Sequence, residues 1–193
     1  GYESSSYASG MRKIYTGTAT TGLATIAGYP AAMYKLVARG GLVGGAVQVV
    51  TATDATETYV VEVGFTWGDA AAATYAAVWE YRWNGAAAEL SQTIVNNGSA
   101  SRSTSGSPSV TSPAITARPF HLLVFLNSAW TRADFIYSTD GVNYSLAQSI
   151  AVSLTAGSPR FAPALAIKKS AGTTSRLAVV DWFGARLTPG GPR

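Results

Sequence analysis

No cysteine occurs anywhere in the 193 residues. Disulfide staples, thiolate metal sites and thiol nucleophiles are excluded with it. Histidine is almost as scarce. The single one, His121, cannot form a histidine-cluster metal site, and any Ser-His-Asp triad would have to be built on it. Charge is low as well: Asp, Glu, Lys and Arg make up 12% of the chain, against roughly 25% in ordinary soluble domains. A charged coiled coil or helical bundle needs Glu, Lys and Arg on its surface, so neither fits. No apolar run approaches about 18 residues, and none reads as a membrane-spanning helix. No basic n-region followed by an apolar stretch opens the sequence as given. The net charge of +4 is scattered, with only Arg12-Lys13 and Lys168-Lys169 adjacent. A nucleic-acid binder concentrates its positive charge in a patch or stripe, and none is expected as a partner.

The residues that are present describe a different kind of protein. About half of the chain, 47%, is apolar, enough for the core of one domain and a bar to disorder. Its polarity comes from 20 serines and 21 threonines. The period is two almost everywhere, the signature of strands with two unlike faces. In Thr58 to Trp67, Tyr59, Val61, Val63, Phe65 and Trp67 form one apolar face, with Glu62 on the other. Thr74 to Asn84 repeats the pattern with Tyr75, Ala77, Trp79, Tyr81 and Trp83, and with Glu80 and Arg82 opposite. The pair reads as a long antiparallel hairpin. Further strands are expected at Met33–Arg39, Gly45–Thr53, Ala88–Val95, Ile115–Asn127, Arg132–Ser138, Asn143–Val152, Phe161–Lys169 and Arg176–Leu187. Asp140-Gly141 is a hairpin-turn dipeptide, and Gly40-Gly41 and Gly44-Gly45 read as turns.

These strands predict an all-β, two-sheet antiparallel jelly-roll sandwich. It would occupy 31–193, preceded by an extended N-terminal arm over 1–30 and interrupted by a long Ser-rich loop over 96–113. The arm would lie along a neighbouring copy, with Tyr2, Tyr7 and Tyr15 as its oligomer contacts.

Four segments, ETYVVEVGFTW, AAVWEYRWN, DFIYSTDGVNYSLAQS and LAVVDWFGARL, together resemble the concanavalin A-like lectin/glucanase jelly roll, laminin-G-like modules included. Ser138, Asp140, Gly141 and Tyr144 fit that family's hairpin, and Asp181, Trp182 and Phe183 fit its last strand. The resemblance covers roughly Leu42 to Leu187 and marks a fold, not a chemistry. It implies a lectin, a glycan-cleaving enzyme or a surface module of a bacteriophage particle. The Ala/Gly/Ser/Thr-rich, cysteine-free composition is similar to that of phage virion proteins.

Residues capable of chemistry are few. A sugar-cleaving enzyme needs two carboxyl groups about 5–9 Å apart. If Trp67 pairs with Tyr75, Glu62 falls opposite Glu80, with Arg82 diagonal to it. This is either an acid and nucleophile pair or a solvated face bridged by Arg82, and the tight E-x-D-x-x-E strand of the family's glucanases is absent. The aromatic stripe from Tyr75 to Trp83 is either core or a sugar platform, with core favoured. Trp130, Asp140, Asn143 and Tyr144 are the candidate ligand contacts. Asp140 and Asn143 also suit a calcium loop, although Asp-Gly in a turn is explained by backbone geometry alone, and neither metal nor cofactor is expected. His121 reads as structural, and Asp181 as a hydrogen-bond acceptor in an apolar strand. The expectation is a non-enzymatic virion surface module of the capsid-decoration or tail-fibre type. Its partners would be other copies in a homo-oligomer, other virion proteins and surface glycans, at a virion or extracellular location. The alternatives are a carbohydrate-binding lectin-like module, or a glycoside hydrolase using Glu62 and Glu80.

Overall fold

The computed structural model describes residues 2–3, 11–26, 38–69, 72–108, 118–153 and 162–189. Among these the strands are β1 (Tyr2–Glu3), β2 (Arg12–Tyr15), β3 (Gly22–Ile26), β4 (Ala38–Val49), β5 (Tyr59–Asp69), β6 (Ala72–Trp83), β7 (Ala88–Asn96), β8 (Ser99–Ser103), β9 (Phe120–Leu126), β10 (Arg132–Ser138), β11 (Ser145–Ala151), β12 (Ala162–Lys169) and β13 (Leu177–Pro189). They form a seven-stranded sheet in the order β1-β2-β13-β4-β9-β10-β11 and a six-stranded sheet in the order β3-β12-β5-β6-β7-β8. Every pairing is antiparallel. The fold is the expected jelly-roll sandwich.

The apolar alternation becomes the core. Tyr59, Val61, Val63 and Phe65 of β5 and Tyr75, Ala77, Trp79 and Tyr81 of β6 are buried, and they face Val43, Val47, Phe120, Leu122, Val124 and Phe135 of the other sheet. The aromatic stripe is therefore core. Trp79, with no exposed surface, ties the layers together. Its indole N–H is shared between the carbonyls of Leu123 and Ile136, at 3.0 and 3.1 Å. Burying a ring of this size is worth several kcal/mol, and the cross-sheet bond keeps its one polar atom satisfied.

Three expectations need correction. The stretch expected as an arm over 1–30 contributes strands to both sheets. β2 pairs with β13, bringing Ile14 to zero exposure, and β3 pairs with β12. Thr16, between β2 and β3, is fixed by Arg176: its N–H donates to the Arg176 carbonyl, and its hydroxyl accepts from the Arg176 N–H. Strands of four and five residues are too short to display a period. Second, the expected loop over 96–113 begins as a hairpin. Asn97 and Gly98 take positive φ values of 48° and 80°, the mirror-image turn that Asn-Gly favours, and β8 returns along β7. Third, Gly40, Gly41, Gly44 and Gly45 lie within β4 instead of in turns. Gly44 is needed for close approach, since a Cβ there would stand 2.9 Å from the Leu123 side chain and 3.1 Å from the Trp182 ring.

Candidate functional site

The acidic pair has the register that the sequence predicts. Trp67 lies opposite Tyr75 and Glu62 opposite Glu80, on the outer face of the six-stranded sheet. Neither carboxylate is free. Lys168 of β12 donates to Glu62 Oε1 at 2.6 Å. Arg102 of β8 donates through Nε to both oxygens of Glu80, at 3.2 and 3.1 Å, and its Nη2 lies 3.1 Å from Oε1. Arg82, the expected bridge, stands 4.0 Å from Glu80 and instead holds Glu89 at 2.9 Å. Glu80 is only 3% exposed. Burial pushes the Glu62 carboxyl above the usual carboxylate range; the Lys168 ammonium opposes this and the neighbouring Glu80 adds to it. An acid–nucleophile pair needs one acid able to deliver a proton and one exposed carboxylate. Here each group is closed by its own cation. Arg102 could have been anticipated from Asn97-Gly98, which makes β8 a strand, whereas Lys168 arrives by a pairing remote in sequence.

A second cluster forms where β10 turns into β11. Ser138 accepts from the N–H groups of Asp140 and Gly141 and donates to Asp140 Oδ1 at 2.8 Å. Asp140 Oδ1 accepts from the N–H of Val142 and of Asn143, at 2.9 and 2.8 Å, and Oδ2 accepts from Asn143 Nδ2 at 2.7 Å. These bonds, those of Asn143 and Val142 foremost, hold the Asp140 carboxyl far below the usual range. Both of its oxygens and the Asn143 amide are thus turned inward on their own loop. The turn presents Val142 and Tyr144 to solvent, at 79% and 46% exposure.

Beneath the turn lies the His121 ring, on the outer face of the seven-stranded sheet. Gly141, at φ 76°, passes so close that a Cβ would stand 2.9 Å from the imidazole. Trp182 Nε1–H donates to His121 Nδ1 at 3.3 Å, and Tyr144 Oη lies 3.1 Å from the same nitrogen. An indole nitrogen only donates, so Nδ1 accepts and the imidazole proton belongs on Nε2. Trp182 reaches this face because of a bulge: Val180 pairs with Val47, yet Trp182 pairs with Ala46, and Asp181 is the extra residue between them. Asp181, expected in an apolar strand, is accordingly exposed. His121 is thus held within the fold through Trp182 and Tyr144.

The four candidate contacts do not converge. Trp130 lies in the β9–β10 connection, with φ 59° and its N–H bonded to the Asn127 carbonyl at 3.1 Å. It packs against the core at the far end of those strands from Tyr144, about 20 Å away at roughly 3.3 Å per residue. Of the proposed oligomer contacts, Tyr2 and Tyr15 lie on β1 and β2, paired within the chain, and Tyr7 falls outside the described residues. No group of three or more metal-ligating side chains occurs among the described residues.

No family model matches the sequence, and no curated protein matches it. Solved structures do match the fold. A family 7 alginate lyase, A1-II′, aligns with a TM-score of 0.58 over 100% of this chain and 83% of its own, at 9% identity. Peanut lectin aligns at 0.56 over 98% of this chain and 91% of its own, at 10% identity. The CBM2 module of the evolved Dit of Lactobacillus casei BL23 phage J-1 aligns at 0.53 over 96% of this chain and 80% of its own, at 13% identity. Against a GH43 protein of Bacillus licheniformis, the chain spans 33% of that protein's length. The chain has the concanavalin A-like jelly-roll fold. Enzymes and a lectin share it, so the fold does not decide catalysis and the residues must.

Proposed function

We propose that this chain is a non-enzymatic, saccharide-binding surface module of a virion. The observation that carries the reading is the closure of Glu62 by Lys168 and of Glu80 by Arg102, which leaves this face without an available acid or nucleophile. What the hairpin offers instead is uncharged and aromatic. Tyr144, whose hydroxyl lies against His121 Nδ1, gives a flat partly apolar surface with a hydroxyl at its edge, the chemistry that suits the apolar face of a sugar ring. The virion setting is supported by the charge-poor, hydroxyl-rich composition and by the likeness in fold to a phage carbohydrate-binding module. Contacts with other copies and other virion proteins belong to the same proposal. The exposed Phe125 and Leu146 on the outer face of the seven-stranded sheet supply apolar area for them.

The reading is tested by presenting a glycan array to the chain and to its Tyr144→Ala variant. Binding by the wild type and at least a tenfold loss in the variant are expected. No bound glycan, or binding indifferent to Tyr144, contradicts it. Reducing ends released from β-glucan or xylan, or unsaturated ends from alginate, would contradict the non-enzymatic part, above all if Glu80→Gln stopped their release.

A further inference from the structure

The two sheets leave one side of the sandwich open, where their terminal strands β8 and β11 run past each other. A cleft of about 370 Å³ lies there, within the range of small-ligand pockets (roughly 300–1,000 Å³). Apart from Arg102 its lining is uncharged, with Gln92, Ser101, Ser103 and Gln148 beside Ile94 and Ile150. Arg102 also borders it, but its guanidinium is engaged with Glu80. Ser103 Oγ, donating to Gln148 Oε1 at 2.7 Å, joins the sheets across the cleft.

Gln92 is the anomaly. It has no exposed surface, its Nε2 donates to Ser107 Oγ at 2.6 Å, and its Oε1 has no partner. Whichever way the amide is turned, Ser107 takes one end and the other is left unpaired at the cleft wall. Buried amide groups are almost always satisfied, and an orphan on the wall of a polar cleft is accounted for by a ligand that completes it.

We propose that this cleft binds a neutral pyranose unit, with Gln92 as its buried hydrogen-bonding anchor. Sugar hydroxyls donate and accept alike, so they pair with either end of the amide and with Ser101, Ser103 and Gln148. The C–H faces of the ring pack on Ile94 and Ile150. With no free cation or anion on the wall, a charged sugar gains nothing there. The proposal rests on the saccharide-binding reading above and adds a site separate from the Tyr144 patch.

The test is an NMR titration of the isotope-labelled full chain with neutral tetrasaccharides: cellotetraose, maltotetraose and mannotetraose. At least one should shift the side-chain amide signals of Gln92 and Gln148. Gln92→Leu should weaken that binding at least tenfold with little change in the thermal midpoint, because the lost bond to the half-buried Ser107 is offset by removal of an unpaired buried oxygen. Ile150→Trp, which fills the cleft and keeps Gln92, should abolish it. Binding confined to the hairpin around Tyr144, with both cleft variants binding like wild type, overturns the cleft and leaves the module reading standing. No shift anywhere with any of the three sugars overturns both.

Discussion

The outer faces of the two sheets use polarity in opposite ways. On the six-stranded sheet, Glu62, Glu80 and Glu89 are each matched by a cation, Lys168, Arg102 and Arg82. Their small neighbours Ala166, Ser91 and Thr93 are almost wholly buried. On the seven-stranded sheet, Arg132 and Asp134 form an ion pair at 3.0 Å, Leu146 stands exposed beside the Tyr144 hairpin, and Phe125 stands exposed farther along the same face. One face has consumed its charges internally; the other keeps apolar and aromatic surface available. A protein that cleaves would need a free ionisable group, and one that holds needs contact area. The difference between the faces favours holding.

Both faces depend on one shared core, so the largest expected effect comes from the residue that joins them. Trp79→Ala should lower stability by about 3–5 kcal/mol, since it leaves a cavity and frees the carbonyls of Leu123 and Ile136. Chemical denaturation measures it, and a loss below about 1 kcal/mol would mean that the sheets are not held as described. Arg102→Leu should follow. It strands the buried Glu80 carboxylate, a cost of about 3–5 kcal/mol for a fully buried pair that falls to about 1–3 because Arg102 is partly exposed. Adding Glu80→Gln should recover part of it, which a double-mutant cycle detects. No recovery would show that the ion pair is incidental.

Gly141→Ala sharpens the other side of the comparison. The residue needs φ 76° and has no room for a Cβ above His121, so about 1–2 kcal/mol should be lost, together with glycan binding. The smallest effect is in acid. Asp140 is held below its ordinary value of 3.8 by the turn N–H groups, and Asp54 by the N–H groups of Glu57 and Thr56. A carboxyl whose folded pKa is depressed contributes stability above the unfolded value and loses it as pH falls below. The contribution of these two turns to the thermal midpoint should therefore be full above about pH 5 and decline beneath it, with a shallower decline in Asp140→Asn. An unchanged slope would remove the turn from the explanation.

Much of this was legible in the sequence wherever pairing was local. Alternation placed Tyr59 to Phe65 and Tyr75 to Tyr81 in the core, the short connection after Trp67 fixed Glu62 against Glu80, and Arg132–Ser138 was found to the residue. What escaped was decided by partners far along the chain or by single-residue irregularities. Lys168 reaches Glu62 through the pairing of β12 with β5, which no local pattern announces. The bulge at Asp181 sends Trp182 to the outer face, where strict alternation would have buried it. The Ser-rich appearance of 99–103 hid β8, although Asn97-Gly98 signalled the turn. The cleft escaped too, because its walls come from strands some 50 residues apart and Gln92 lies on a strand face that reads as core.

Binding without cleavage is the central claim, and one experiment addresses both halves of it. Saturation-transfer NMR on the wild-type chain with cellotetraose, maltotetraose and mannotetraose, continued over days, reads contact from the transferred signal and hydrolysis from the anomeric region. Transfer to at least one sugar with its anomeric signals unchanged is the predicted result. New reducing-end signals appearing with time, or no transfer to any of them, would contradict the account.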